Sequence, residues 1–162
     1  MNSRNRDDKP AVCGVVAGLS LDRSLEEYER QNAKHIANEL AQVGARIACR
    51  ANLIQTIFDD LAQDINAAMR LKGFWDDEGA PGKLPTCIAL VHSELSELLE
   101  ANRKGVEHDD HIPEFTGEEA EAADTAIRLL DMAGGFRWRF GEAVVAKMLY
   151  NLSRPHKHGK AY

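Results

Sequence analysis

Cysteine is scarce: the 162 residues hold three, Cys13, Cys49 and Cys87. Three scattered thiols cannot build a disulfide framework and lack the spacing of a zinc site. The expected compartment is therefore reducing, hence cytoplasmic. No hydrophobic run approaches the ~20 residues that a membrane helix needs, and no membrane association is expected. Alternating apolar and polar residues are missing, as are repeats and low-complexity tracts, so nothing signals a β-sheet. A surplus of positive charge is lacking too. Lysine and arginine number 20 against 26 aspartates and glutamates, a net charge of −6. A protein that grips a nucleic-acid polymer needs the opposite sign, whereas a small anionic substrate held through a divalent cation is compatible with this balance.

What is present is helical rhythm. The first residues are polar and charged, followed by a short apolar run, Ala11 to Leu19, interrupted by Gly14 and Gly18. The run lacks the core and cleavage site of a signal peptide, so residues 1–23 are expected to form a flexible N-terminal arm. The rest, 24–162, is expected to be one all-α domain, a four- to five-helix bundle. Ser24 and Glu27 have capping-box spacing and predict a helix start, with Ile36, Leu40 and Val43 continuing it and Gly44 breaking or bending it. A second helix is expected from Ala45 or Arg50 to Leu71, with a stripe of Ile54, Ile57, Phe58, Leu61, Ile65 and Met69. Gly73, Gly79, Pro81 and Gly82 make Lys72 to Lys83 a loop. A third helix is expected from Pro85 to Arg103 and a loop from Gly105 to Phe115. A fourth helix opens at a second capping box, Thr116 to Glu119, and stops near Gly134 and Gly135. The last runs from Trp138 to Leu152, ahead of Pro155.

The chemistry concentrates on the third and fourth helices. Glu94 and Glu97 are three residues apart on one, Glu121 and Asp124 on the next, and such pairs share a helix face. They adjoin apolar stripes, Ile88, Val91, Leu95 and Leu98 on the first and Ala120, Ala123, Ile127 and Leu130 on the second. Carboxylates placed there are costly without partners, and a divalent cation removes the cost. Oxygen-only ligands select Mg²⁺ or Mn²⁺ over zinc. Asp131 either supports this site or pairs with Arg128. On the last helix Lys147, Asn151 and Arg154 form one line at i, i+4 and i+7, a basic strip suited to polyphosphate. Trp75, in the segment Gly73-Phe-Trp75, is a candidate to stack on a base, and Asn66 to bond its edge. His108 and His111 have no further His or Cys nearby and read as loop residues.

Taken together these residues resemble the MazG-type all-α nucleoside triphosphate pyrophosphohydrolases, the superfamily that includes dimeric dUTPases and dCTP pyrophosphatases. In that family a Glu-x-x-Glu pair is followed by Glu-x-x-Asp, here Glu94-Leu-Ser-Glu97 and Glu121-Ala-Ala-Asp124. The segment Lys72 to Asp77 is similar to the family's entry loop, and Lys147 to Lys160 to its phosphate-contacting end. The resemblance spans about residues 52–160. It implies a Mg²⁺-dependent enzyme that converts NTP or dNTP to the monophosphate and pyrophosphate, in nucleotide-pool cleansing, as a homodimer or homotetramer. Glu94, Glu97, Glu121 and Asp124 would then be catalytic residues that ligate the metal. Lys147, Asn151 and Arg154 would contact phosphates, and Trp75 and Asn66 would bound the base pocket. One carboxylate, Glu97, would orient or deprotonate the attacking water. A di-iron bundle expects Glu-x-x-His on two helices, and no His stands three residues after Glu94, Glu97 or Glu121. The remaining alternative is a non-catalytic helical partner or regulatory protein of the same fold.

Overall fold

The described residues are all-α and form five helices: α1 (Cys13–Cys49), α2 (Ala51–Leu71), α3 (Lys83–Lys104), α4 (Gly117–Gly135) and α5 (Phe140–Leu152). The computed structural model describes residues 13–79 and 82–155. Among these, no helix is long and apolar enough to cross a membrane. The chain divides into two compact units, Met1–Arg46 and Ile47–Tyr162.

In the first unit α1 begins at Cys13, eleven residues ahead of the expected start at Ser24. The capping-box pattern of Ser24 thus falls inside a helix, where backbone amides already have intrahelical acceptors. Residues 1–12 of the expected arm lie outside the described residues. Gly44 does not break the helix. One glycine costs about 1 kcal/mol, and its neighbours Ala41, Ala45 and Ala48 are strong helix formers. The apolar side chains Leu25, Tyr28, Ile36 and Leu40 are exposed.

The second unit is built around α4, which packs against α3 on one side and α2 on the other, while α2 also carries α5. The centre is formed by Ala62, Leu130 and Ala133, with Phe58, Ile65 and Phe140 against it. Small residues let the helices approach closely. A Cβ built on Gly141 would lie 2.4 Å from the Gln55 carbonyl oxygen, so α5 starts directly on the α2 backbone. The Gly141 amide donates to Asp59 Oδ1 at 2.9 Å, and Phe58 meets Phe140 edge-to-face at 5.8 Å.

The expected termini are mostly where the sequence signals place them. At α4 the Thr116 hydroxyl accepts from the Glu119 amide at 3.2 Å, and the Glu119 carboxylate accepts from the Thr116 amide at 2.9 Å. Pro85 sits in the first turn of α3, where its missing N–H costs nothing. Gly105 closes α3 in the left-handed conformation, φ 62°. The stop of α4 has a different basis from the expected one. Gly134 and Gly135 are the last residues of the helix, and the left-handed position beyond it is Arg137, φ 55°. The amides of Arg137 and Trp138 donate to the carbonyls of Gly134 and Ala133, closing a Schellman turn. A side chain in that region costs about 1 kcal/mol. Arg137→Gly is therefore expected to stabilise the protein by about 1 kcal/mol, read as a rise in urea midpoint; an unchanged or lower midpoint would mean that the arginine side chain compensates its own strain.

Candidate metal centre

The helices α3 and α4 run antiparallel. Asn102 donates to Glu118 at 2.6 Å, Glu97 meets Glu121, and Arg128 donates to Glu94 at 2.8 Å, so numbers fall on one helix as they rise on the other. This register brings the two i, i+3 pairs face to face. One carboxylate oxygen each from Glu94, Glu97 and Glu121 lies within 4.8 Å of the others. Their environments differ. Glu94 is 7% exposed and Glu121 half-buried, whereas Glu97 is open to solvent and accepts only a 3.3 Å bond from the Ser93 hydroxyl among the described residues.

Crowded anions raise one another's proton affinity. Burial pushes the Glu121 carboxyl above its ordinary value, and the charges of Glu97, Asp124, Glu94 and Asp109 add to the rise. An all-oxygen donor set with this excess of negative charge fits a hard divalent cation, which neutralises the repulsion.

Asp124, the fourth expected ligand, is exposed one turn along α4 and lies outside the close group. It borders two cavities, one of about 530 Å³ shared with Glu97 and Glu121, the other of about 220 Å³ shared with Glu94. Two neighbours were not legible in the sequence. Asp109, in the loop between α3 and α4, lines the larger cavity. The amides of His111 and Ile112, both at 2.9 Å, hold its carboxyl below the usual range. Arg128, one turn past Asp124, is the cation that partners buried Glu94 rather than Asp131.

The Arg128 bond has a testable cost. Arg128→Gln leaves Glu94 without its cation and should lower the stability of the metal-free protein by about 1–2 kcal/mol, a value reduced for the partial exposure of the guanidinium. Millimolar Mn²⁺ should then raise the melting temperature of this variant more than that of the wild type, because the ion becomes the sole counter-charge. An equal shift in both proteins would separate Glu94 from the metal.

The candidate base residues Trp75 and Asn66 are both buried. Trp75 is 5% exposed and offers no open face. Its Nε1 donates to Asp131 Oδ1 at 2.9 Å, its edge meets Phe136, and the Arg70 and Lys83 cations sit 5.1 and 5.0 Å from its ring centroid. Asn66, 6% exposed, donates to the same Asp131 oxygen at 2.7 Å and accepts from Arg70 Nε at 2.7 Å. Both residues therefore hold Asp131 in place.

Lys147 and Asn151 are exposed on α5, and Arg154 is half-buried just past its end. Lys147 and Arg154 lie 5.0 and 5.9 Å from the Tyr150 ring centroid. The main packing partner of α5 is α2. His156, Lys157, His158 and Lys160 of the expected phosphate-contacting end lie outside the described residues.

Fold and site define a class: a five-helix all-α protein with a carboxylate cluster able to hold a divalent cation. No family model, curated protein or solved structure matches the chain.

Proposed function

We propose that the protein is a Mg²⁺-dependent nucleoside triphosphate pyrophosphohydrolase of the MazG type, with Mn²⁺ as a substitute ion, releasing pyrophosphate and a nucleoside monophosphate in nucleotide-pool cleansing. The observation that carries this reading is the meeting of Glu94, Glu97 and Glu121 from two consecutive helices. The order of the acidic pairs, the Gly73-Phe-Trp75 segment and the α5 basic line adds support.

The residues divide the work by environment. Glu94, buried and held by Arg128, is a fixed ligand; Glu121 completes the facing side, and Asp124 joins them from the rim of both cavities. Glu97, exposed and bonded only to a serine hydroxyl among the described residues, would orient water and take its proton. A divalent cation bound there would stabilise charge on the phosphoryl oxygens and the leaving pyrophosphate. Lys147, Asn151 and Arg154 would receive the phosphate chain.

The exposed apolar side chains Leu53, Ile57 and Leu61 of α2 and Leu95 and Leu99 of α3 suit a homodimer or homotetramer. Cys49 and Cys87 are free thiols, in keeping with a reducing, cytoplasmic setting. The test is a product analysis with each standard NTP and dNTP plus Mg²⁺. Monophosphate and pyrophosphate in equal amounts, absent from a Glu121→Gln control, support the reading. Release of orthophosphate and a diphosphate, or no release at all, overturns it; the latter favours a non-catalytic helical partner protein.

A further inference from the structure

We propose that the cavity between Phe74 and Asp131 takes a nucleobase bearing an exocyclic amino group, with Asp131 as the residue that reads it. This rests on the nucleotide reading above and specifies its base. The cavity encloses about 220 Å³ and is bordered by Glu94 and Asp124, so whatever enters it lies beside the carboxylate site. Its size falls below the ~300–1,000 Å³ of pockets for drug-sized ligands, which suits one ring system with the sugar and phosphates directed outward. Met69, Phe74 and Ile127 supply an apolar lining.

Phe74 is the open aromatic of the entry loop. It is 54% exposed just past the left-handed turn at Gly73, φ 85°, while its neighbour Trp75 is buried. A base stacked on an aromatic ring gains about 1–3 kcal/mol without regard to its identity. Selection must come from a polar group, and Asp131 is set for it.

Two donors, Trp75 Nε1 at 2.9 Å and Asn66 Nδ2 at 2.7 Å, converge on Oδ1 of Asp131. Arg70 in turn fixes Asn66. The carboxylate plane is thereby locked, and among the described residues Oδ2 receives no hydrogen bond. Among these residues no buried side-chain polar atom lacks a partner, so Oδ2 is open to solvent, and Asp131 lines the cavity. An ionised carboxylate only accepts. The amino groups of cytosine and adenine satisfy it, as carboxylates do with the cytosine amine in duplex recognition. The 4-keto oxygen of uracil or thymine would face it as a second acceptor. Lys72 and Arg128 also line the cavity, and the Arg128 Nε is bonded to Glu94.

The test is calorimetric titration of the intact protein with dCMP, dAMP, dUMP and dTMP in the presence of Mg²⁺. The wild type should bind dCMP and dAMP at least about tenfold more tightly than dUMP and dTMP, the discrimination of one buried hydrogen bond. In Asp131→Asn the amide oxygen stays with Trp75 and Asn66, which turns the new N–H donors into the cavity. The preference should vanish or reverse toward the keto bases. Phe74→Ala should weaken all four by a similar factor and leave the ratio unchanged. Equal binding of dCMP and dUMP by the wild type, absence of binding by all four, or an unaltered ratio in Asp131→Asn overturns the proposal. Amino-base preference without hydrolysis of any triphosphate would leave this pocket standing and remove the reaction. Hydrolysis with a ratio indifferent to Asp131→Asn would do the reverse.

Discussion

Glu97→Gln is expected to leave the helices intact and to lower turnover of a nucleoside triphosphate by at least about 100- to 10,000-fold, the range for a group that handles the reacting proton. The side chain is exposed and bonds only the Ser93 hydroxyl among the described residues, so its replacement costs the fold little; surface substitutions of this kind stay within about ±0.5 kcal/mol. Glutamine keeps the shape and one carbonyl oxygen, and loses the charge and the capacity to take a proton. Both losses fall on the same step, because the carboxylate stands with Glu94 and Glu121 and faces water. The measurement is kcat with saturating Mg²⁺ together with the melting temperature. Full activity in a folded variant would take the carboxylate group out of the mechanism; a lost fold would mean that Glu97 supports the α3–α4 contact.

Gly135→Ala is expected to have the opposite profile, a structural loss away from the carboxylates. The added Cβ would lie 2.0 Å from Trp75 Cη2 and 2.2 Å from Cζ2. The indole cannot retreat easily: it is bonded to Asp131, packed edge-on against Phe136 and covered by Arg70 and Lys83. Alanine favours a helix over glycine by about 1 kcal/mol, but overpacking costs about 1–3 kcal/mol and more where the neighbour is rigid. The expected net loss is about 2 kcal/mol, a melting point lower by roughly 4–8 °C. Gly134 is similarly confined, with a Cβ position 2.2 Å from the Ala62 carbonyl oxygen. Unchanged melting in Gly135→Ala would mean that the Trp75 loop moves freely, and the locked Asp131 would lose its support.

Local signals in the sequence carried most of the fold. Thr116 and Glu119 form the capping box that their spacing predicts, Gly105 ends α3, and of the α2 stripe Phe58 and Ile65 pack against Leu130 and Ala133 while Ile57 and Leu61 stay exposed. The failures are long-range. Gly134 and Gly135 read as a stop signal because glycine so often ends a helix, yet their role is to admit Ala62 and Trp75, some sixty to seventy positions away in the chain. The helix start at Cys13 was hidden by Gly14 and Gly18, which suggest a loop although neither prevents a helix.

The candidate site divides the same way. Helical spacing places Glu94 with Glu97 and Glu121 with Asp124, and adjacency of the two helices brings three of them together. Periodicity says nothing of a loop residue such as Asp109, or of which acid Arg128 chooses. Trp75 and Phe74 are neighbours with similar composition around them; only the slot made by Gly135 decides that the indole goes inward and the phenyl ring remains open.

The central claim is that Glu94, Glu97 and Glu121 form one divalent-cation site. The most direct measurement is a Mn²⁺ titration followed by the electron paramagnetic resonance signal of the free ion, with wild type and Glu121→Gln side by side. The wild type is expected to bind Mn²⁺ saturably at submillimolar concentration, and the variant at least about tenfold more weakly through loss of one charged ligand. Absence of binding by the wild type, or equal affinity in the variant, would contradict it.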